Sequence, residues 1–267
     1  MVYENFWGLA EKPFENTPDP KYFFNSHQHE EGLARLLYVI REGKGAGLLT
    51  GIYGCGKTLL SQALLKEVEQ DIYKVALITN PRLDDVELLR MITYYLGVQQ
   101  VPTRKADILI TLEQVLKNNV SDGKKTVVII DEAHAIEDKN IFEEIRLLLN
   151  YQQDNKFLLN LLLIGQPELK EKIENIKQLN QRIAMRFHLE GLSREDTKNY
   201  IIHRLNIAQS PKQLFTDEAL SLIFDRSGGI PRRINLICDS ALLTGFGKEA
   251  KIISKEIINE TIQSLAL

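Results

Sequence analysis

Several things are scarce in this sequence. It has two cysteines, Cys55 and Cys238, in 267 residues. A chain of that length with two lone thiols is not held by a disulfide framework, and a reducing cytoplasm is the expected compartment. Long apolar runs are missing too. The longest runs from Phe157 to Gly165 and is interrupted by Asn160, far short of the roughly 20 residues a membrane helix needs. The opening "MVYENFWGLAEKPF" has no basic stretch followed by an apolar core, so no signal peptide is expected. Charge of one sign is also lacking: 33 Lys and Arg face 36 Asp and Glu, a net −3. That balance argues against a general polyanion binder, although a local basic patch would be compatible with it. There is no internal repeat and no low-complexity tract. His27 and His29 have no Cys or acidic partner at ligand spacing, so they read as a polar turn opening a helix rather than as a metal site.

What is present is an ordinary globular composition, 44% hydrophobic and 26% charged, long enough for one large domain or two unequal ones. Residues 1–26 are rich in aromatics and prolines, among them Phe6, Trp7, Pro13, Phe14, Pro18, Pro20, Tyr22, Phe23 and Phe24. The prolines exclude a long helix, and the aromatics suggest a strap packed on a domain surface. From residue 27 to 191 short apolar runs alternate with helical patterns. "AGLLTG", "YKVALITNP", "KTVVIIDEAH" and "FLLNLLLIGQP" read as four buried strands. Between them lie helical patterns, one placing Ile141, Phe142, Ile145, Leu148 and Leu149 on a single face. This alternation predicts an α/β fold with a parallel sheet covered by helices. Residues 192–267 hold four helical patterns with no strand between them, expected to form a small all-α domain. Ser193, Thr216 and Ser254 stand where helix starts are expected, and Pro231 suits a first helical position.

Chemistry concentrates at two places. Gly51-x-x-x-x-Gly56-Lys57-Thr58 follows a strand and opens a helix, the pattern and context of a phosphate-binding loop. Glycines let backbone N–H groups turn inward around phosphates, and the helix N-terminus adds positive potential. Gly51, Gly54, Cys55, Gly56, Lys57, Thr58 and Leu59 are the candidate nucleotide contacts, with Lys57 neutralising phosphate charge and Thr58 holding Mg²⁺. Cys55 reads as a small residue tolerated between glycines rather than as a redox switch. In "VVIIDEAH", four apolar residues carry Asp131 to the end of a strand, where ligands bind in open α/β sheets. Asp131 is the second candidate for Mg²⁺, and Glu132 is placed to orient and polarise an attacking water.

"DEAH" also occurs in helicases, but those need a second sheet domain, and the C-terminal third here is helical. The sequence as a whole resembles the AAA+ ATPases: a P-loop NTPase sheet sandwiched by helices, followed by an all-α lid. On that resemblance Gln166 in "LLIGQPEL" takes the place of the sensor 1 residue. "LNQRIAMRFHLEGLS" resembles the arginine-finger segment, with Arg186 the first choice and Arg182, taken as one helical turn earlier, the second. "SGGIPRRIN" resembles sensor 2, giving Arg232 a γ-phosphate role with Arg233 as fallback, and "ITNP" makes Asn80, after Thr79, a candidate restraint on the catalytic glutamate. Together with the N-terminal strap, these motifs are similar to the ExeA/GspA type of general secretion pathway ATPase. The resemblance implies ATP and Mg²⁺ as cofactors, a strap near the adenine, and a homo-oligomeric ring or filament. It further implies a cytoplasmic ATPase serving a secretion, pilus or polysaccharide-export machine, recruited to the inner membrane by a partner; from the short apolar runs, no membrane span is expected in this sequence. Proteins of this type commonly continue into a membrane span and a peptidoglycan-binding domain. This sequence stops at Leu267, right after the lid, which leaves open a stand-alone ATPase or one excised domain. A second reading is an ATP-dependent DNA-binding regulator of the transposition type, weakly disfavoured by the mild negative charge but compatible with a basic rim from residues such as Lys124, Lys125 and Lys139 after assembly; those lysines read rather as an ordinary solvated face.

Overall fold

A computed structural model describes residues 3–17, 19–68 and 71–266. Met1, Val2 and Pro18 of the expected strap, Glu69 and Gln70, and Leu267 of the expected all-α domain lie outside them. The chain forms two units. One comprises His29–Ile52 and Leu60–Leu189; the other comprises the described residues of Met1–Gln28, Tyr53–Leu59 and Glu190–Leu267.

The first unit is built on a five-stranded parallel sheet. Its strands are β1 (Ala46–Gly51), β2 (Tyr73–Ile78), β3 (Lys125–Ile130), β6 (Leu159–Gly165) and β7 (Ile183–Leu189). They lie in the order β2-β3-β6-β1-β7, and every neighbouring pair is parallel. A separate antiparallel pair, β4 (Gln152–Gln153) and β5 (Lys156–Phe157), makes a small hairpin. Every residue of β1 and β6 is buried, and so is all of β3 after Lys125, which is why these strands read as continuous apolar runs. Helix α2 (His27–Arg41) precedes β1, and the core joins the strands to helices α4 (Asp85–Tyr95), α5 (Lys105–Ser121) and α6 (Lys139–Leu148) through Leu89, Ile92, Ile108, Leu112, Leu116 and Ile145. The five apolar residues expected on one face around α6 are all buried. α4 begins with a reciprocal cap: Asp84 accepts the Glu87 N–H at 2.7 Å, and Glu87 accepts the Asp84 N–H at 3.1 Å. The α/β parallel fold expected from the sequence is therefore present, with additions. A fifth strand, β7, and two short helices, α7 (Glu168–Glu174) and α8 (Lys177–Asn180), occupy a segment expected only to carry arginines.

The second unit holds α9 (Arg194–Ile207), α10 (Asp217–Ser227), α11 (Pro231–Gly247) and α12 (Lys255–Leu265), the four expected helices. Its core includes Leu205, Leu214, Phe215, Ile223, Ile237 and Leu242. The N-terminal segment is part of the same core. Within α1 (Glu4–Trp7), Trp7 is 1% exposed and its indole N–H donates to the Leu242 carbonyl at 3.0 Å. Buried Arg204 fixes the next stretch. Its guanidinium donates to the Pro13 and Glu15 carbonyls and lies 4.4 Å from the centroid of Tyr22. No helix among the described residues is long and apolar enough to cross a membrane.

Candidate nucleotide-binding site

Because the five strands are parallel, their C-terminal ends share one edge. Gly51 ends β1, Thr79 and Asn80 follow β2, Asp131 follows β3 and Gln166 follows β6. This is the edge at which open α/β sheets bind ligands. Asp131 is buried; its N–H donates to the Ile78 carbonyl at 2.8 Å, continuing the β2–β3 ladder one residue. Its Oδ1 accepts the Glu132 N–H at 2.8 Å. Glu132 has left-handed backbone (φ 53°, ψ 29°) and begins a short 3-10 turn, Ala133–Ala135. A non-glycine residue held there stores about 1 kcal/mol or more of strain, a frequent mark of functional turns. Its carboxylate is 41% exposed and lies 3.4 Å from His134 Nε2. The side-chain amide of Gln166 is 2.9 Å from the same nitrogen. Asn80 is exposed and its Oδ1 accepts the Arg82 N–H at 3.4 Å, so its side chain is engaged by its own turn.

In the other unit, the phosphate-loop candidates Gly54 and Gly56 both have positive φ, 84° and 102°, as a tight nest of backbone amides requires. Cys55 between them is buried, and that burial pushes its thiol pKa up, which suits a packing residue rather than a reactive one. Lys57, also buried, is the first residue of α3 (Lys57–Glu67), followed by exposed Thr58 and half-buried Leu59. Arg232, second residue of α11, donates its N–H to the Gly54 carbonyl at 3.3 Å. Its guanidinium lies 4.7 Å from the centroid of Tyr53, itself 59% exposed. The next residue, Arg233, is exposed.

The two finger candidates are not one helical turn apart. Arg182 precedes β7 and Arg186 is inside it, because residues 183–189 pair in parallel with β1. Arg186 Nη2 donates to the Asn180 carbonyl and Oδ1 at 2.7 and 2.8 Å, while Arg182 donates to the Arg146 carbonyl at 3.4 Å. Two further side chains, one in each unit, contact candidate residues without having been singled out from the sequence. Tyr53 occupies an unspecified position of the loop pattern, where residue type carries no signal. His134 was in view as the last letter of "DEAH" without a role, and what it bonds depends on a turn the sequence does not display.

Comparison with known proteins bears on the fold and the family. A family model described as an AAA domain matches residues 40–173. General secretion pathway protein A of Aeromonas hydrophila is 40% identical over 263 residues, covering 96% of this chain but 47% of that protein. The chain thus spans about half the length of that relative. Among solved structures, the Aeropyrum pernix ORC2 protein (ADPNP-ADP complexes) superposes with a TM-score of 0.69 at 18% identity, covering 96% of this chain and 71% of its own. The Thermotoga maritima RuvB Holliday junction branch migration motor does so with 0.60 at 18%, covering 89% and 68%. At such identities the likeness is one of fold. The family match and the relative together are specific: the chain belongs to the AAA domain family and is of the ExeA/GspA type.

Proposed function

We propose that the chain binds Mg²⁺·ATP and hydrolyses it to ADP and phosphate, as an oligomeric AAA+ ATPase. The observation that carries this is the shared strand edge, at which Gly51 ends β1, the Asp131–Glu132 pair follows β3 and Gln166 follows β6; in the chain, Gly51 leads directly into the loop of Gly54, Gly56 and Lys57. The donor set fits the cofactor, since a hydroxyl and a carboxylate, Thr58 and Asp131, are hard oxygen ligands suited to Mg²⁺. Mg²⁺, when bound, would supply charge neutralisation on the phosphates. Lys57 and the loop amides of residues 51–59 would hold the phosphate chain. Glu132 would orient a water and take its proton, Gln166 would hydrogen-bond the terminal phosphate, and Arg232 would stabilise its developing charge. Arg186, with Arg182 as second choice, would serve a neighbouring copy's nucleotide. Asn80 would restrain Glu132 on leaving its own turn. The 40%-identical relative's name supports service to a general secretion pathway; we place the protein in the cytoplasm, reaching the inner membrane through a partner.

The test is ATP hydrolysis per subunit against protein concentration, with and without double-stranded DNA. Turnover that rises with concentration and ignores DNA supports a neighbour-completed site. A rate that rises chiefly on adding DNA moves the reading to a DNA-binding regulator. Lys57→Ala is expected to lose ATP binding. Glu132→Gln should keep it while hydrolysis falls by about 100-fold or more. Normal turnover in both variants would refute the site.

A further inference from the structure

His134 holds two neighbours whose roles are otherwise separate. The backbone N–H of Gln166 donates to its Nδ1 at 3.3 Å. That nitrogen therefore carries a lone pair, and in a neutral ring the proton must be on Nε2. Nε2 is 2.9 Å from the end of the Gln166 amide assigned as Nε2 and 3.4 Å from the Glu132 carboxylate. A protonated Nε2 cannot accept from an amide NH₂. The two ends of an amide are alike in shape, so the hydrogen-bond network decides which faces the ring. Here it must be Oε1, which turns the two N–H donors of Gln166 away from the histidine. One N–H thus faces two acceptors, the amide at the shorter distance and the carboxylate at the longer.

The turn carrying the ring is fixed from both sides. Lys172 Nζ donates to the His134 and Ile136 carbonyls at 2.6 and 2.7 Å. Gly165 packs so closely that a Cβ there would stand 3.1 Å from the His134 backbone nitrogen and 3.3 Å from its Nδ1. The ring has little freedom to turn, so its contacts respond to movement of Gln166.

We propose that His134 is a positioning residue that presents the NH₂ of Gln166 outward as a phosphate donor and couples its displacement to the orientation of the Glu132 carboxylate. When Gln166 is drawn off toward a terminal phosphate, the N–H passes to Glu132 and fixes the carboxylate that must take a proton from water. The coupling rests on the ATPase reading; the ring geometry does not.

Two measurements decide it. In the wild-type chain with isotope-labelled histidine, nitrogen-detected NMR should show His134 as the Nε2–H tautomer with a bare Nδ1; an Nδ1–H tautomer overturns the proposal whatever the enzyme's activity. In steady-state kinetics, His134→Asn keeps an acceptor near Nδ1 and loses the Nε2 donor, whereas His134→Gln restores a donor there. The Asn variant should lose about tenfold or more in kcat, with the KM for ATP changed by less than about threefold. The Gln variant should recover most of that loss at an equal melting temperature. If the Asn variant turns over like wild type, the ring only holds the turn and the proposal fails. A wild-type chain that does not hydrolyse ATP would sink the ATPase reading and the coupling with it, while the tautomer result would still stand or fall by itself.

Discussion

A methyl group on Gly54 would stand 2.7 Å from Arg232 Cβ, and the φ of +84° there is one that L side chains rarely adopt. Gly54→Ala therefore meets two costs, backbone strain and a collision with the first turn of α11. Together they should destabilise the helical unit by about 1–3 kcal/mol and weaken ATP binding, read by thermal melting and by nucleotide titration. A variant with unchanged melting and affinity would show that the loop and α11 are not held together in solution. Gly54 also marks the limit of what a motif reveals. The glycines, Lys57, Thr58, Asp131 and Glu132 can be singled out as candidates from the sequence because phosphate chemistry demands those types at those spacings. Tyr53, which stacks on Arg232, and His134, which bonds Gln166, cannot, because their partners are far away in sequence and no local pattern encodes the meeting.

Among elements, the buried strands were legible for a simple reason: a strand covered on both faces has almost nothing but apolar residues. β7 was not, because its apolar residues alternate with others instead of forming a run. Ile183, Met185, Phe187 and Leu189 alternate with Ala184, Arg186 and His188, and the arginine drew the eye to catalysis instead. Helix starts divided in the same way. Ser193 and Thr216 accept the N–H groups of Asp196 and Ala219, whereas Ser254 makes no such cap and donates to Glu256 instead. The packing of α4, α5 and α6 depends partly on one lysine. Lys105 Nζ donates to Asp85 Oδ2 and to Glu144 Oε2, each at 2.6 Å. The hydrogen bond from Lys105 holds the Asp85 carboxyl below its usual pKa. A depressed carboxyl contributes stability above its unfolded pKa, about 3.9, and that contribution is lost as pH falls through the lower folded value. Lys105→Met should thus melt below wild type at pH 7, leaving buried Glu144 without its cation. The gap between the two melting temperatures should close as the pH is taken below about 4. A gap that persisted in acid would mean that the aliphatic packing of the lysine matters, not its charge.

Among the described residues, one cluster of buried side chains lies against the sheet and another around α9 to α12, and these two clusters share no residue. Two-state unfolding is an approximation that holds for single cooperative cores. The sequence supplies a local reporter, because its only tryptophan, Trp7, is buried in the helical core. Membership of that core was not legible beforehand, since Trp7 and Leu242 meet across nearly the whole length of the chain. Tryptophan fluorescence therefore follows the helical unit, while far-UV circular dichroism follows both. Leu112 in α5 and Ile237 in α11 are each fully buried, and truncation of either to Ala should cost about 2–5 kcal/mol. Leu112→Ala should lower the dichroism transition more than the fluorescence transition in a denaturant titration. Ile237→Ala should lower the fluorescence transition at least as much as the dichroism one. If both probes move together in both variants, the two cores unfold as one cooperative unit, and a mutation in either would be felt equally at the phosphate loop and at the Asp131–Glu132 turn. If they separate, the helical unit can loosen while the sheet stays folded, so that a substitution in one core is felt in that unit alone.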